Sequence, residues 1–304
     1  MADCRNKVTI YLKNPINIKG EEKHSIQVPC KKCARCLERR KLEWGFRMGI
    51  QMAESKTAYF VTLTYDTKHV PINKYGIKTL NNNEQINEET GEITGGDLTR
   101  FFKRLRINQE RSEITWEHFY NRLQPTDKIK YYACGEYGEK RKRPHYHAII
   151  FNASQSNIEK SWTYGGSHVA PANEATIAYV MKYLDKMLGQ KHDKRKEKEF
   201  NTMSEGIGIS YIQKNQLWHK NNLDVLFVTT MQGFKIPMPE YYRKKIFTED
   251  ERKLQVILVE ELMKEAENEG IAQKGVEQYW KDYWNLARIS EKIHQKKRQK
   301  RNID

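Results

Sequence analysis

Two short β-type runs with a charged gap between them constrain this chain more than any other feature. Lys130-Tyr-Tyr-Ala-Cys-Gly-Glu-Tyr137 and His145-Tyr-His-Ala-Ile-Ile-Phe151 are dense in aromatic and branched residues, and Gly138–Pro144 between them reads as a turn. Such a pair closes as an antiparallel hairpin. Side chains alternate along a strand with period two, so His145 and His147 project from the same face. The hairpin folds Glu136 back beside them. Two imidazoles and one carboxylate, with positions left open, suit Mn2+ or Mg2+ better than an all-nitrogen set would. Glu139, nearer the turn, is the second choice of carboxylate. A His-x-His pair by itself is more often two unrelated polar-face histidines, so the neighbouring residues carry the assignment.

The segment after the hairpin supplies those neighbours. Asn173 is placed to cap a helix running to about Leu188, with Ile177, Met181, Leu184 and Leu188 as a core-facing stripe. Tyr179, Lys182, Tyr183 and Lys186 form a second stripe offset by two residues, about 200° round a helix, and therefore predicted to face away from the core. A tyrosine pair on a helix is usually packing. Two lysines on the same face argue against that, because a core does not accept them unpaired. Tyr179 and Tyr183 are the candidate nucleophiles toward phosphate, with Lys182 beside them.

Upstream, Tyr59-Phe-Val-Thr-Leu-Thr-Tyr65 reads as a buried strand, and 71–96 as a long polar loop. Asp97 then caps a helix with Leu98, Phe101, Phe102 and Leu105 on one face and Arg100, Lys103, Arg104 and Arg106 beside them. The order strand, helix, hairpin, helix predicts an α+β fold: a ferredoxin-like or RRM-like antiparallel sheet with helices on one face. A final strand is required, at 207–213 or 223–230. Residues 35–53 predict a helix through Leu37, Trp44, Met48 and Met52, directly after Cys30, Cys33 and Cys36. That spacing suggests structural Zn2+, whose fourth ligand would be Cys4 or a histidine such as His24; three free thiols at a helix start are the alternative. Cys134 reads as core. The expected organisation is an N-terminal segment with cysteines and helix (1–56), a core (57–190), and a mixed then helical basic extension (191–304) ending in Lys296, Lys297, Arg298, Lys300 and Arg301.

Charge sets the class of partner. The chain carries 54 Lys+Arg against 39 Asp+Glu, a net charge of +15, with 11% aromatic residues available for stacking. A polyanion, most economically nucleic acid, fits that balance. No apolar stretch has the length of a membrane span and the first residues lack a signal-peptide core, so a soluble cytosolic protein with no membrane partner is expected. No G-x-x-x-x-G-K-[ST] occurs in the sequence.

Together these residues resemble the replication-initiation proteins of gokushovirus-type microviruses, small single-stranded DNA bacteriophages, within the HUH endonuclease superfamily. Phe60-Val-Thr-Leu-Thr-Tyr65 is similar to the first motif, Pro144-His145-Tyr-His147 with Glu136 to the metal motif, and Tyr179-Val-Met-Lys182-Tyr183 to the two-tyrosine motif. The cysteine segment and Met238-Pro-Glu-Tyr241-Tyr242-Arg243 also resemble this group. The resemblance implies origin nicking for rolling-circle replication, with a covalent 5′-phosphotyrosyl link and a free 3′-OH. It also implies single-stranded origin DNA as substrate, host helicase and polymerase as partners, and the cytoplasm of the bacterial host as location. A transposase or relaxase of the same chemistry, and a non-catalytic single-strand-binding module, are the rival readings.

Overall fold

A computed structural model describes residues 4, 6–18, 21–81, 85–86, 93–113, 128–138, 141–186, 193–282 and 284–285. The chain forms two compact units, one of residues 40–214 and one of residues 1–39 with 215–304.

In the first unit, strands alternate side chains toward two apolar layers, and this alternation builds the core. Five antiparallel strands lie in the order β8-β3-β7-β6-β9: β3 is Ala58–Thr64, β6 Lys130–Tyr137, β7 Pro144–Phe151, β8 Ser167–Pro171 and β9 Phe200–Met203. The expected hairpin is present, with Glu136 opposite His145 and Cys134 opposite His147. One face of the sheet, through Val61, Leu63, Ala133, Tyr146, Ala148 and Ile150, packs against Leu98, Phe101, Phe102 and Leu105 of α2 (Asp97–Glu113) and Ile158 of α3 (Gln155–Ser161). The other, through Tyr132, Cys134, Ile149 and Phe151, packs against Met48 of α1 (Ala34–Glu54) and against Ile177, Val180 and Met181 of α4 (Glu174–Met181). Each fully buried Leu, Ile or Phe contributes about 1.5–3 kcal/mol.

Two expectations are corrected. Helices cover both faces rather than one, because β7 is apolar at both parities from Ala148 onward and must bury both. Neither 207–213 nor 223–230 completes the sheet. The edges are β8 and β9; β4 (Gln85–Ile86) and β5 (Ile93–Thr94) pair only with each other, and Ser210 instead opens a helix, α6 (Ser210–Asn221).

At the β8 edge the connection passes very close to β3. Thr64 and Asp66 donate backbone N–H to the carbonyls of Gly166 and Tyr164, both at 2.9 Å. A Cβ on Gly165 would stand 2.3 Å from the Thr64 carbonyl oxygen and 2.4 Å from the Asp66 nitrogen, both backbone atoms that cannot step aside alone. Gly165→Ala is therefore expected to lower Tm by roughly 5–15 °C, the effect of a few kcal/mol. Gly49→Ala in α1, where the new methyl meets nothing within 4 Å, should match or exceed the wild type. Equal Tm values for the two variants would show that this connection relaxes freely.

In the second unit, β1 (Val8–Ile18) and β2 (Glu21–Val28) pair antiparallel as a two-stranded ribbon just before the cysteine segment. The sequence reading placed no strand here. β10 (Phe227–Thr229) pairs with β11 (Lys235–Pro237), and α7 (Glu240–Ile246) leads into α8 (Glu249–Lys274), whose Thr248 and Glu251 form a reciprocal capping box. The basic C-terminal run from Lys296, and Glu139 and Leu188, lie outside the described residues.

Candidate active site

The centre of the sheet brings the predicted ligands together. Glu136 Oε1 lies 2.7 Å from His145 Nε2 and 3.2 Å from His147 Nε2, and the donor atoms of the three residues all fall within 4.8 Å of one another. Glu136 and His147 are buried; His145 is half-buried. Both imidazoles point Nε2 at the carboxylate because Nδ1 is engaged elsewhere. His145 Nδ1 is 3.2 Å from the Arg143 carbonyl oxygen, and His147 Nδ1 is 3.0 Å from Thr62 Oγ1. A carbonyl oxygen only accepts, so in neutral His145 the proton sits on Nδ1 and the Nε2 lone pair faces Glu136. A bare imidazole nitrogen facing a carboxylate is a donor set for a cation, and on this ground the residues fit a divalent metal.

Thr62 is the residue that the sequence reading missed. It lies directly opposite His147 on β3, and His168 on β8 lies directly opposite Thr62, so all three share a face. His168 and Thr64 are exposed. The signal was available: in Phe60-Val-Thr-Leu-Thr-Tyr65, polar Thr62 and Thr64 alternate with buried Val61 and Leu63. Thr62→Val is expected to weaken Mn2+ binding about 10–100-fold, the usual effect of losing a partner that orients a ligand, whereas Thr62→Ser should stay near wild type. Calorimetric titration with Mn2+ measures both, and an unweakened Thr62→Val would deny Thr62 that role.

The tyrosines close over His147. Its ring is stacked between Phe60 at 5.7 Å and Tyr183 at 5.4 Å, with Tyr179 edge-on at 5.4 Å. The Tyr183 hydroxyl donates to the Tyr179 hydroxyl at 2.8 Å. The two are not equivalent, which corrects the expectation that both tyrosines face away from the core. Tyr179 is 38% exposed and Tyr183 6%. Asn173 caps α4 as expected, but this helix ends at Met181, and a separate turn of helix, α5 (Tyr183–Lys186), follows Lys182. Tyr183 thus joins Val180 and Leu184 in the core. Burial pushes its phenol well above the ordinary range, and its bond to Tyr179 and the Glu136 charge add to this. Lys182 remains exposed, with Nζ 5.5 Å from the centre of the Tyr179 ring.

Behind the site, Tyr146 points to the opposite face. Its hydroxyl is 2.9 Å from that of Tyr65, which donates to buried Asp97 at 2.7 Å. This network ties β7 to β3 and to the start of α2.

Residues 58–188 match the family model for replication-associated proteins of the ORF2 type. Over that stretch the chain is similar to this family. Similar members include Replication-associated protein ORF2 of Spiroplasma virus 4, 28% identical over 72% of this chain and 67% of its own length. Replication-associated protein VP4 of Bdellovibrio phage phiMH2K is 25% identical over 74% of this chain and 69% of its own. Replication-associated protein ORF4 of Chlamydia phage 1 is 22% identical over 74% of this chain, which spans only 56% of that relative. Among solved structures, the N-terminal nuclease domain of minute virus of mice non-structural protein-1 aligns at 12% identity over 58% of this chain and 82% of its own, with a TM-score of 0.16, too distant to carry an argument. Glu136, His145, His147, Tyr179, Lys182 and Tyr183 all fall inside the family stretch.

Outside it, Cys4, Cys30, Cys33 and Cys36 converge with all four sulfurs within 4.8 Å, an arrangement that could bind zinc. Cys4 takes the fourth position; His24 instead lies in the ribbon near Glu22. Cys134 is buried in the core as expected. Among the described residues no helix is long and apolar enough to cross a membrane.

Proposed function

We propose that this replication-associated protein is an origin-nicking endonuclease and strand transferase of HUH type, with residues 57–190 as its ferredoxin-like catalytic core. The observation that carries this reading is the meeting of two imidazole nitrogens and a carboxylate, with the exposed Tyr179 packed edge-on against one of the imidazoles. A basic protein with that site has the parts for phosphodiester transfer on single-stranded DNA.

Mg2+ or Mn2+, held by Glu136, His145 and His147, would polarise the scissile phosphate and offset the charge developing on it. The four-thiolate set is too soft for this and would select zinc. Tyr179 is the attacking residue, since it is the more exposed of the two tyrosines and its ring lies edge-on against His147. Tyr183 donates a hydrogen bond to that oxygen, and Lys182 lies close by, so negative charge gathered there as the proton leaves is stabilised. The Oη–P bond forms as the P–O3′ bond breaks. The proton lost by the phenol is matched by the one gained by the departing 3′-oxygen, and the 5′-phosphate stays on tyrosine. Bond energy is conserved, so no nucleoside triphosphate is consumed. The free 3′-OH then serves a host polymerase, and a host helicase does the unwinding.

Incubation of the purified protein with its own genome in single-stranded form, with Mn2+ or Mg2+, is expected to give a denaturation-resistant protein–DNA adduct. DNA binding that ignores chelator, with no cleavage under either metal, would instead mark a binding module.

A further inference from the structure

The cysteine cluster sits at the base of the N-terminal ribbon. Cys4 precedes β1, Cys30 follows β2, and Cys33 and Cys36 flank the start of α1. A tetrahedral site with Zn–S of about 2.3 Å has sulfur–sulfur edges of about 3.8 Å. Here Cys4 Sγ is 3.8 Å from Cys33 Sγ, and Cys30 Sγ is 4.0 Å from Cys36 Sγ. Both separations are far beyond a disulfide bond. An iron–sulfur cluster would have to lodge its own iron and sulfide ions among sulfurs this close together, whereas one ion fits. The surrounding backbone is shaped to the sulfurs. Cys30 N–H donates to Cys4 Sγ at 3.2 Å and Cys33 N–H to Cys30 Sγ at 3.3 Å. Lys31 adopts a left-handed φ of 60°, which turns the chain between the two ligands. A lysine bears the cost of that conformation only where the surroundings impose it.

Among its described residues the ribbon shows no buried side chain. Every described side chain from Asn6 to Val28 is exposed or half-exposed, with Val8, Ile10 and Tyr11 at 50%, 46% and 81%. A two-stranded ribbon with no buried face is marginal in water. Its ladder begins at Val8↔Val28, a few residues from Cys4 and two from Cys30. We infer that Cys4, Cys30, Cys33 and Cys36 hold one structural Zn2+ that clamps the base of the β1–β2 ribbon, where β1 starts and β2 ends, to the start of α1, and that the ribbon is ordered only while the metal is bound.

This inference stands apart from the nicking reading, and its test needs no DNA. Full-length protein purified without chelator is expected to carry about one zinc per chain by elemental analysis. Cys33→Ser should fall well below that, while Cys134→Ser, outside the cluster, should keep it. Because a cysteine variant can misfold, the wild type is also stripped with a mercurial thiol reagent and chelator. Amide exchange at residues 8–28 should then accelerate by about tenfold or more, with residues 130–151 unchanged. Iron in place of zinc, no metal after loading with Zn2+, or unaltered exchange in the ribbon once the metal has left would each overturn the proposal.

Discussion

The double replacement His145→Ala with His147→Ala is expected to lower metal-dependent cleavage by roughly 1,000-fold or more, since a metal supplies several kcal/mol to this kind of transition state. Single-stranded DNA binding should change little, because affinity comes from a surface with a net charge of +15 rather than from the ligands. Adduct yield with Mn2+ and a salt-dependent binding titration, run on the same preparation, separate the two effects. His147 lies between two aromatic rings, so circular dichroism must first show that the variant is folded. A folded double variant with wild-type cleavage would remove the metal assignment. Glu136→Gln should be damaging but less complete, as water can occupy one ligand position. If Glu139→Ala proves the more severe change, the wrong carboxylate has been named.

Tyr179→Phe is expected to reduce covalent attachment at least about 100-fold, as it removes the exposed nucleophile while keeping the ring against Phe60 and His147. Tyr183→Phe should be milder in the first cut. It removes one hydrogen bond to the attacking oxygen, worth about tenfold in rate. Release of closed circles is where Tyr183→Phe should fail. A second nucleophile is needed once Tyr179 carries DNA, and the Tyr183 hydroxyl lies one hydrogen bond away. Its burial implies that it acts only after Tyr179 has shifted. Gel assay of adduct and closed circle for each variant reads both steps. Full attachment by Tyr179→Phe together with none by Tyr183→Phe would reverse the order of the two residues. Normal circle release by Tyr183→Phe would leave an enzyme with one nucleophile.

The elements that position the site were legible because their signals are local. The β6–β7 hairpin, the strand before Tyr65, the Asn173 cap and the Leu98–Leu105 stripe each declare themselves within a dozen residues. The β1–β2 ribbon was not legible. Lys, Asn and Pro interrupt its alternation, and its described side chains, exposed or half-exposed on both faces, show no apolar parity. The edge strands β8 and β9 are five and four residues long and pair with partners far along the chain, so the last strand was sought in the wrong places. Tyr183 differs for another reason: it lies one turn from exposed Tyr179, yet its ring stacks on His147 and is buried there. Thr62 reads as strand propensity in the sequence, although its hydroxyl lies 3.0 Å from His147 Nδ1.

The placement of Tyr146 between the two histidines has a consequence for how the protein can fail. A slip of β7 by one residue would turn both imidazoles into the layer under α2 and bring the phenol out where they had been, since parity inverts for every residue at once. The Tyr65–Tyr146 hydrogen bond would be lost in the same event. Mispaired molecules would thus be wholly inert, not merely slow. A preparation of uneven quality should behave as a mixture of fully competent and dead molecules, with turnover per titratable site constant while the fraction of titratable sites varies.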